Sequence, residues 1–354
     1  MQSCTSTVGR RYQRNDGDLP FPDPFLDDHF RIIGAKSRRR QAKKAQVSSS
    51  PLIPHVRTRL THTDGTAGVA VYIAKNLEAN VYLCLAGGTG HDIGHTPHGH
   101  RGEEKLVELS GKPFRHNVNS VFIAQHIERG GRGLNLNFET LEAMLYHSRG
   151  SGELVVSAER YPGYTIVMYS DKMDYTFSDI NDAIRTGYLD LATAPSEFKE
   201  ALDFLGESQR ERTLTTANAL IEESKRKDRV IFSEGEVFEA FDIIRKHMYK
   251  QVYPKAANRV QSLSVEIMYG FFAQDPEFLG EYQGLNPVIP VTLLTDEEAN
   301  HAVNLRLRSE TLSIRNMGHF GVFEVLNSMR ANNIDFSKLD YTKPDLEWGT
   351  SRYT

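Results

Sequence analysis

Apolar residues recur at helical spacing over most of this chain. Ala67, Val71, Ala74 and Leu77 fall on one face of a 3.6-residue period, and Val118, Val121 and Phe122, with the polar Gln125 in the same register, on another. Asn137 stands where an N-cap would precede Leu141, Met144 and Leu145. Ser233 and Glu236 have capping-box spacing ahead of Val237, Phe238, Phe241, Ile244 and Met248. Strand signals are few. Leu154-Val155-Val156 is the clearest, read as one arm of a small hairpin, and Ser-Ser-Ser-Pro-Leu-Ile-Pro over 48–54 reads as a loop. The Asp-, Gly- and Pro-rich start reads as an arm or tail. The Pro- and Gly-containing stretch 279–290 sets off a C-terminal piece. No internal repeat is visible. The pattern predicts a mostly-α protein with small β-hairpins: an arm over 1–30, a main helical domain over 31–278 and a C-terminal helical subdomain over 279–354.

Composition adds mainly exclusions. With 39% hydrophobic and 25% charged residues and a net charge of −4, the 354-residue chain is neither a disordered polymer nor a basic nucleic-acid coat. No apolar run reaches the roughly 18 residues of a membrane span, and the first residues lack a signal-peptide core. Cys4 and Cys84 are the only cysteines, which fits a reducing, cytoplasmic setting. Positions 36–44 hold six basic residues, Lys36, Arg38, Arg39, Arg40, Lys43 and Lys44. They read either as a solvated helix face or as a cationic wall for polyphosphate, with single-stranded nucleic acid as a further partner.

Histidine usage changes the picture. Nine of the thirteen histidines lie between His55 and His147, four of them between His91 and His100. Adjacent His91 and Asp92 point roughly 100° apart on a helix, so they share an ion only at a distorted turn or a helix end, which Gly94 permits. His62 upstream and Asp171 downstream complete two imidazoles and two carboxylates. That mixed donor set suits a divalent ion, Mn²⁺ or Mg²⁺ first, with Fe²⁺, Co²⁺ or Zn²⁺ as alternatives. It also leaves octahedral positions for water and a phosphate oxygen. His100 and Glu103, three apart, share a helix face, where a carboxylate orients an imidazole and favours its protonated form.

Several ordered motifs carry a family resemblance. Arg57-Thr58-Arg59-Leu60-Thr61-His62, His91-Asp92-Ile93-Gly94-His95-Thr96-Pro97-His98-Gly99-His100-Arg101-Gly102-Glu103 and Arg115-His116-Asn117 are similar to the HD-domain deoxynucleoside triphosphate triphosphohydrolases, the dGTPase-like enzymes. Gly133-Leu134-Asn135-Leu136-Asn137-Phe138-Glu139 and Ser170-Asp171-Lys172-Met173-Asp174-Tyr175 continue the match, which runs from about residue 31 to 184 and is vaguer over 253–278. The resemblance implies an HD-domain helical bundle that cleaves dNTPs to deoxynucleoside and inorganic triphosphate, with dNTP as partner and a homo-oligomeric assembly. It assigns His62, His91, Asp92 and Asp171 to the metal and makes His100 with Glu103 the acid that protonates the leaving oxygen. His95 and His116 become further pocket histidines facing phosphate, whereas His98 stands at a usually aromatic position and reads as polar packing. Arg59 and Lys172 map to triphosphate contacts, Tyr175 and Asp179 to the sugar, and Gln46 and Val47 to the loop along the sugar's other edge.

Some positions depart from the family. After His62 it commonly continues Ser-Leu-Glu-Val, whereas this chain reads Thr63-Asp64-Gly65-Thr66 and loses a glutamate. Gln41 replaces a usually apolar residue, and the segment around 314–320 lacks the usual closing motif. Base preference and oligomer contacts are open at this point. Alternative readings are another HD nucleotidase or phosphodiesterase, or a nucleotide-responsive, nucleic-acid-binding regulator.

Overall fold

The computed structural model describes residues 7–12, 22–46, 53–148, 154, 161–256 and 258–350. Helix α1 (Pro24–Ile33) starts where the Asp23 side chain accepts hydrogen bonds from the Phe25 and Leu26 amides, with proline in the first turn. Helix α2 (Arg59–Asn76) opens on a reciprocal Thr58–Thr61 capping box, and α3 (Val81–Gly90) on Asn80, whose side chain accepts from the Leu83 amide. Next come α4 (His100–Ser110), α5 (His116–Phe122), α6 (Phe138–Tyr146) and the 24-residue α7 (Pro162–Arg185). Helix α2 packs chiefly on α3 and α7, and α3 is also flanked by α1 and α6.

Two buried apolar clusters flank this centre. One joins Ile73, Tyr169 and Phe177 of α2 and α7 to α8 (Ser196–Leu205), α9 (Gln209–Lys227) and α10 (Glu236–His247) through Phe198, Leu220 and Phe241. The other joins Phe122 and Leu141 to α11 (Arg259–Gln274), α12 (Val288–Leu293), α13 (Asp296–Leu307) and α14 (Gly321–Ala331) through Phe272, Val291, Ala302 and Phe323. Residues 279–350 therefore share a core with the helices that precede them. No helix among the described residues is long and apolar enough to cross a membrane.

The helical prediction is realised, while strand pairing among the described residues amounts to two isolated bridges, Arg10 with Asn137 and Ala45 with Thr58. Val155 and Val156 of the expected hairpin lie outside the described residues; Leu154 is buried, and its carbonyl accepts from the Tyr169 hydroxyl at 2.7 Å. Asn137 does precede α6, but its side-chain amide donates to Pro24 O and Asp28 Oδ2 instead of capping. The capping box at Ser233 and Glu236 does not form. Gly235 caps α10, and Ser233 Oγ is engaged by Glu223 Oε1 at 2.6 Å. Competition from a buried carboxylate decided that helix start.

Candidate active site

The last turn of α3 gives out at Gly90, and the chain turns through 91–94 with Ile93 N bonded to Gly90 O and His95 N to Asp92 O. That turn lets two adjacent side chains reach one point. It is clamped onto α5: Ser120 Oγ donates to His91 O at 2.6 Å and accepts from Gly94 N at 2.9 Å. A Cβ on Gly94 would lie 2.1 Å from Ser120 N and 2.5 Å from His116 O, so only glycine lets the turn sit so close.

Four side chains from α2, this turn and α7 converge. His62 Nε2 lies 3.0 Å from Asp171 Oδ1, 3.3 Å from His91 Nε2 and 3.9 Å from Asp92 Oδ2. His91 Nε2 lies 3.6 Å from both Asp92 Oδ1 and Asp171 Oδ1. Ligands bound about 2.0–2.2 Å from one divalent ion stand about 3–4 Å apart, so the set fits a metal. The far sides of both rings are fixed as a metal ligand needs. His91 Nδ1 is 2.7 Å from the Gly88 carbonyl, which can only accept, so Nδ1 carries the hydrogen and Nε2 is left a lone pair. His62 Nδ1 meets Asp174 Oδ2 at 2.8 Å, and Arg57 holds that same oxygen at 2.7 Å.

Asp174 answers the glutamate lost from α2. Gly65 stands at the departing position, and a Cβ there would lie 2.0 Å from Asp174 Oδ1. The carboxylate missing from one helix is matched by one entering from the facing helix. Burial would lower the His62 pKa, but hydrogen bonds to Asp171 and Asp174 outweigh it and raise it to about 10. Burial would raise Asp171, and the His62 and His91 rings instead hold it well below the carboxylate range. Asp92 is depressed in the same way, burial being outweighed by His95 and His91. The cluster's two carboxylates favour a positive charge between them, from a proton or from a cation that displaces it.

The cluster borders a cavity of about 560 Å³. Glu103, in the first turn of α4, is the hub of its histidine wall. Its Oε1 lies 3.2 Å from His100 Nδ1 and 3.0 Å from His116 Nδ1, and Oε2 accepts from the His116 amide at 3.2 Å. His95 Nδ1 is 2.9 Å from the same Oε1 but not aligned as a hydrogen bond; its ring stacks on His116 with centroids 3.9 Å apart. The His100 side chain is 72% exposed and opens onto the cavity. Desolvation in that crowded wall would lower its pKa, but the Glu103 hydrogen bond and charge outweigh this and raise it above the ordinary imidazole value. For His95, burial and the nearby Arg59 charge lower the pKa to about 3, so this ring is neutral.

Arg59 is buried, with NH1 2.7 Å from Asp92 Oδ2 and NH2 3.2 Å from Gln46 O, tying the cavity wall to the His/Asp cluster. Lys172, Tyr175 and Asp179 line the same cavity from α7, and Gln46 lines it with its buried Oε1 unpaired among the described residues. Tyr175 and Tyr249 hydroxyls meet at 3.0 Å, and the Tyr253 hydroxyl donates to Asp179 Oδ2 at 3.0 Å. Asp179 Oδ1 is buried without a partner among the described residues, and burial raises the Asp179 pKa to about 7 against His62 and Tyr253. His98 borders the cavity but is anchored away from the four-residue cluster, Nε2 to Ser264 Oγ at 2.8 Å. Val47 lies outside the described residues.

The basic run 36–44 is not brought to the cavity. Lys36 pairs with Glu324, Arg38 with Asp64 and Lys43 with Glu297, while Lys44 is buried and donates to the carbonyls of His95 and Thr292. Three residues unassigned by sequence reasoning do reach the site: Tyr249, Tyr253 and His147. His147 is buried, with Nε2 3.7 Å from Asp92 Oδ1. Its only sequence signal was membership of the histidine-rich stretch.

Comparison with known proteins agrees with this geometry. A model of the HD domain matches residues 59–176, which contain all four converging ligands. A deoxyguanosinetriphosphate triphosphohydrolase-like protein of Clostridium tetani is 36% identical over 251 residues, covering 70% of each chain. One from Caldanaerobacter subterraneus is 38% identical over 251 residues, 71% of each chain. One from Desulfatibacillum aliphaticivorans is 33% identical over 257 residues, 71% of this chain and 72% of its own.

Proposed function

The chain belongs to the HD-domain family of deoxyguanosinetriphosphate triphosphohydrolase-like proteins, and on that premise we propose that it hydrolyses deoxynucleoside triphosphates to deoxynucleoside and inorganic triphosphate. The observation that carries the reading is the Glu103-oriented His100, open to the same cavity as the His62–His91–Asp92–Asp171 cluster. Cleavage between the α-phosphorus and O5′ expels an alkoxide, a poor leaving group, and an acid poised beside it is what such a cleavage requires. As a water oxygen bonds to the α-phosphorus and the bond to O5′ breaks, His100, whose protonated form Glu103 favours, donates its proton to O5′. His62, His91, Asp92 and Asp171 would hold a divalent ion, which would supply Lewis acidity and charge neutralisation at the phosphates.

Arg59 and Lys172 grip phosphate oxygens, Arg59 while still braced by Asp92 and Gln46. On the sugar side, Asp179 Oδ1 accepts from the 3′-hydroxyl, and the Tyr175 ring, held by Tyr249, closes the space a 2′-hydroxyl needs. His95 and His116 face the phosphates.

His100→Ala separates binding from chemistry. Its kcat should fall by roughly 10²–10⁴-fold, the usual worth of a general acid, with dNTP affinity little changed. Unchanged kcat, with dNTP affinity reduced instead, would move His100 from acid to substrate contact.

A further inference from the structure

The turn that delivers His100 is held from the far end of the chain. His98 sits at φ 61° and Gly99 at φ 55°, left-handed backbone that a histidine adopts at a cost and keeps only where its surroundings fix it. Gly99 O accepts from Glu103 N at 3.1 Å, so this turn sets where α4 begins and where His100 and Glu103 stand. Asp296 Oδ1 accepts from the His98 amide at 2.9 Å, and Oδ2 accepts from the Ala45 amide at 2.9 Å. Ala45 lies between Lys44, whose carbonyl accepts from the Arg59 amide at 2.9 Å, and Gln46, whose carbonyl accepts from Arg59 NH2 at 3.2 Å. One buried carboxylate thus joins the segment that leads to the acid and the segment that braces the phosphate grip. Its own helix does not need it, because the Thr295–Glu298 capping box already satisfies the start of α13. Lys44 Nζ adds a parallel link, donating to His95 O at 2.5 Å and to Thr292 O at 2.8 Å.

We infer that Asp296 is a positioning residue for the site: by accepting from the Ala45 and His98 amides at once, it fixes His100 relative to Arg59. Asp296 lies outside the segment 59–176 that matches the HD domain, so a helix of the C-terminal part completes the geometry of the acid. A carboxylate accepting from backbone amides makes the strong, charge-assisted form of hydrogen bond. Asparagine in its place has one acceptor oxygen and must turn its NH2 group toward one of the two donors. Misplacing a reacting group by roughly 1 Å costs on the order of 100-fold in rate, so the clamp bears on the chemistry although Asp296 does not line the cavity.

The kinetic arm of the test rests on the proposed dNTP reaction, and the spectroscopic arm does not. In the first, kcat is measured for Asp296→Ala and Asp296→Asn, each alone and combined with His100→Ala. Asp296→Ala should lower kcat roughly 10–100-fold and Asp296→Asn by less. Neither should lower it further once His100 is gone, because a residue acting through the acid then has nothing left to position. Asp296→Asn, which keeps the size of the side chain, decides if Asp296→Ala does not fold. Glu297→Gln removes the neighbouring charge from the same first turn, a surface carboxylate 2.9 Å from Lys43 Nζ, and should leave kcat unchanged. In the second arm, imidazole ¹H–¹⁵N spectra of the full chain labelled with ¹⁵N-histidine are recorded without substrate, the His100 signals being those absent from His100→Ala. Asp296→Asn should shift them, and Glu297→Gln should not. An equal loss of kcat with and without His100, or an equal loss in Glu297→Gln, would make Asp296 a merely structural residue and overturn the inference. So would His100 signals that Asp296→Asn leaves in place. A wild type that does not turn over dNTPs would sink the proposed reaction and leave the spectra to decide on Asp296.

Discussion

At the residue scale, the convergence of the site residues was legible where several unusual residues stood in one ordered pattern. His91-Asp92 alone is weak, but His62, Asp171, His100 and Glu103 in register with it describe a centre that the fold does assemble. His147 was not legible, because its importance lies in its Nδ1 contact with Met144 O and its approach to Asp92, neither of which has a sequence signature. Tyr253 was missed for a similar reason: it meets Asp179 from 74 residues away. Asp179 yields a pH prediction. Burial raises its pKa to about 7, so it is a carboxylate above that pH and protonated below it. Only the carboxylate is a strong acceptor for the 3′-hydroxyl, charged hydrogen bonds exceeding neutral ones by roughly 1 kcal/mol, or about fivefold. The ratio of kcat/KM for dNTP over 2′,3′-dideoxy-NTP should therefore fall about fivefold as pH drops from 8 to 6. Asp179→Asn should hold it low and flat. A wild-type ratio independent of pH would remove Asp179 from the sugar contact.

Helix placement was legible from periodicity, whereas helix starts depended on competition that periodicity does not record. Thr58 caps α2 through its reciprocal bonds with Thr61, no other residue among those described claiming its hydroxyl, while Ser233 loses its cap to Glu223. The exchange of a carboxylate between α2 and α7 is the same lesson at the site: read along the chain, Gly65 looks like a lost glutamate, and only packing shows Asp174 filling that space. The pairing is testable. Asp174→Asn keeps an acceptor for His62 Nδ1 but removes its charge, and should weaken Mn²⁺ binding by roughly 10–100-fold, the usual worth of a partner behind a metal ligand. Gly65→Ala forces a methyl to within 2.0 Å of the Asp174 carboxylate and should do the same while costing about 1–3 kcal/mol of stability from overpacking. Metal titration alongside urea unfolding checks both. Unchanged affinity in Asp174→Asn would reduce that residue to an ion-pair partner of Arg57.

For the whole molecule, the sequence marked a C-terminal piece at 279–290 by its prolines and glycines, but composition could not show that Phe323 and Leu326 pack into a cluster with Phe122 and Leu141. The proposed metal ligands, by contrast, come from α2, the turn after α3 and α7, so an ion held by them would tie three elements of the centre together. An ion bound only by the folded chain should stabilise it by about 2.7 kcal/mol at 100 times its Kd. Mn²⁺ should raise the unfolding midpoint, chelator should reverse the rise, and Asp171→Asn should abolish it. An equal rise in that variant would place the stabilising ion elsewhere. The most direct test of the proposed reaction is to follow the oxygen. Each dNTP is incubated with the protein and Mn²⁺ in ¹⁸O-labelled water, and the products are separated and weighed by mass spectrometry. Attack at the α-phosphorus with O5′ leaving predicts equal amounts of deoxynucleoside and inorganic triphosphate, with the label only in the triphosphate. A deoxynucleoside monophosphate with pyrophosphate, a diphosphate with orthophosphate, or label in the deoxynucleoside would contradict it.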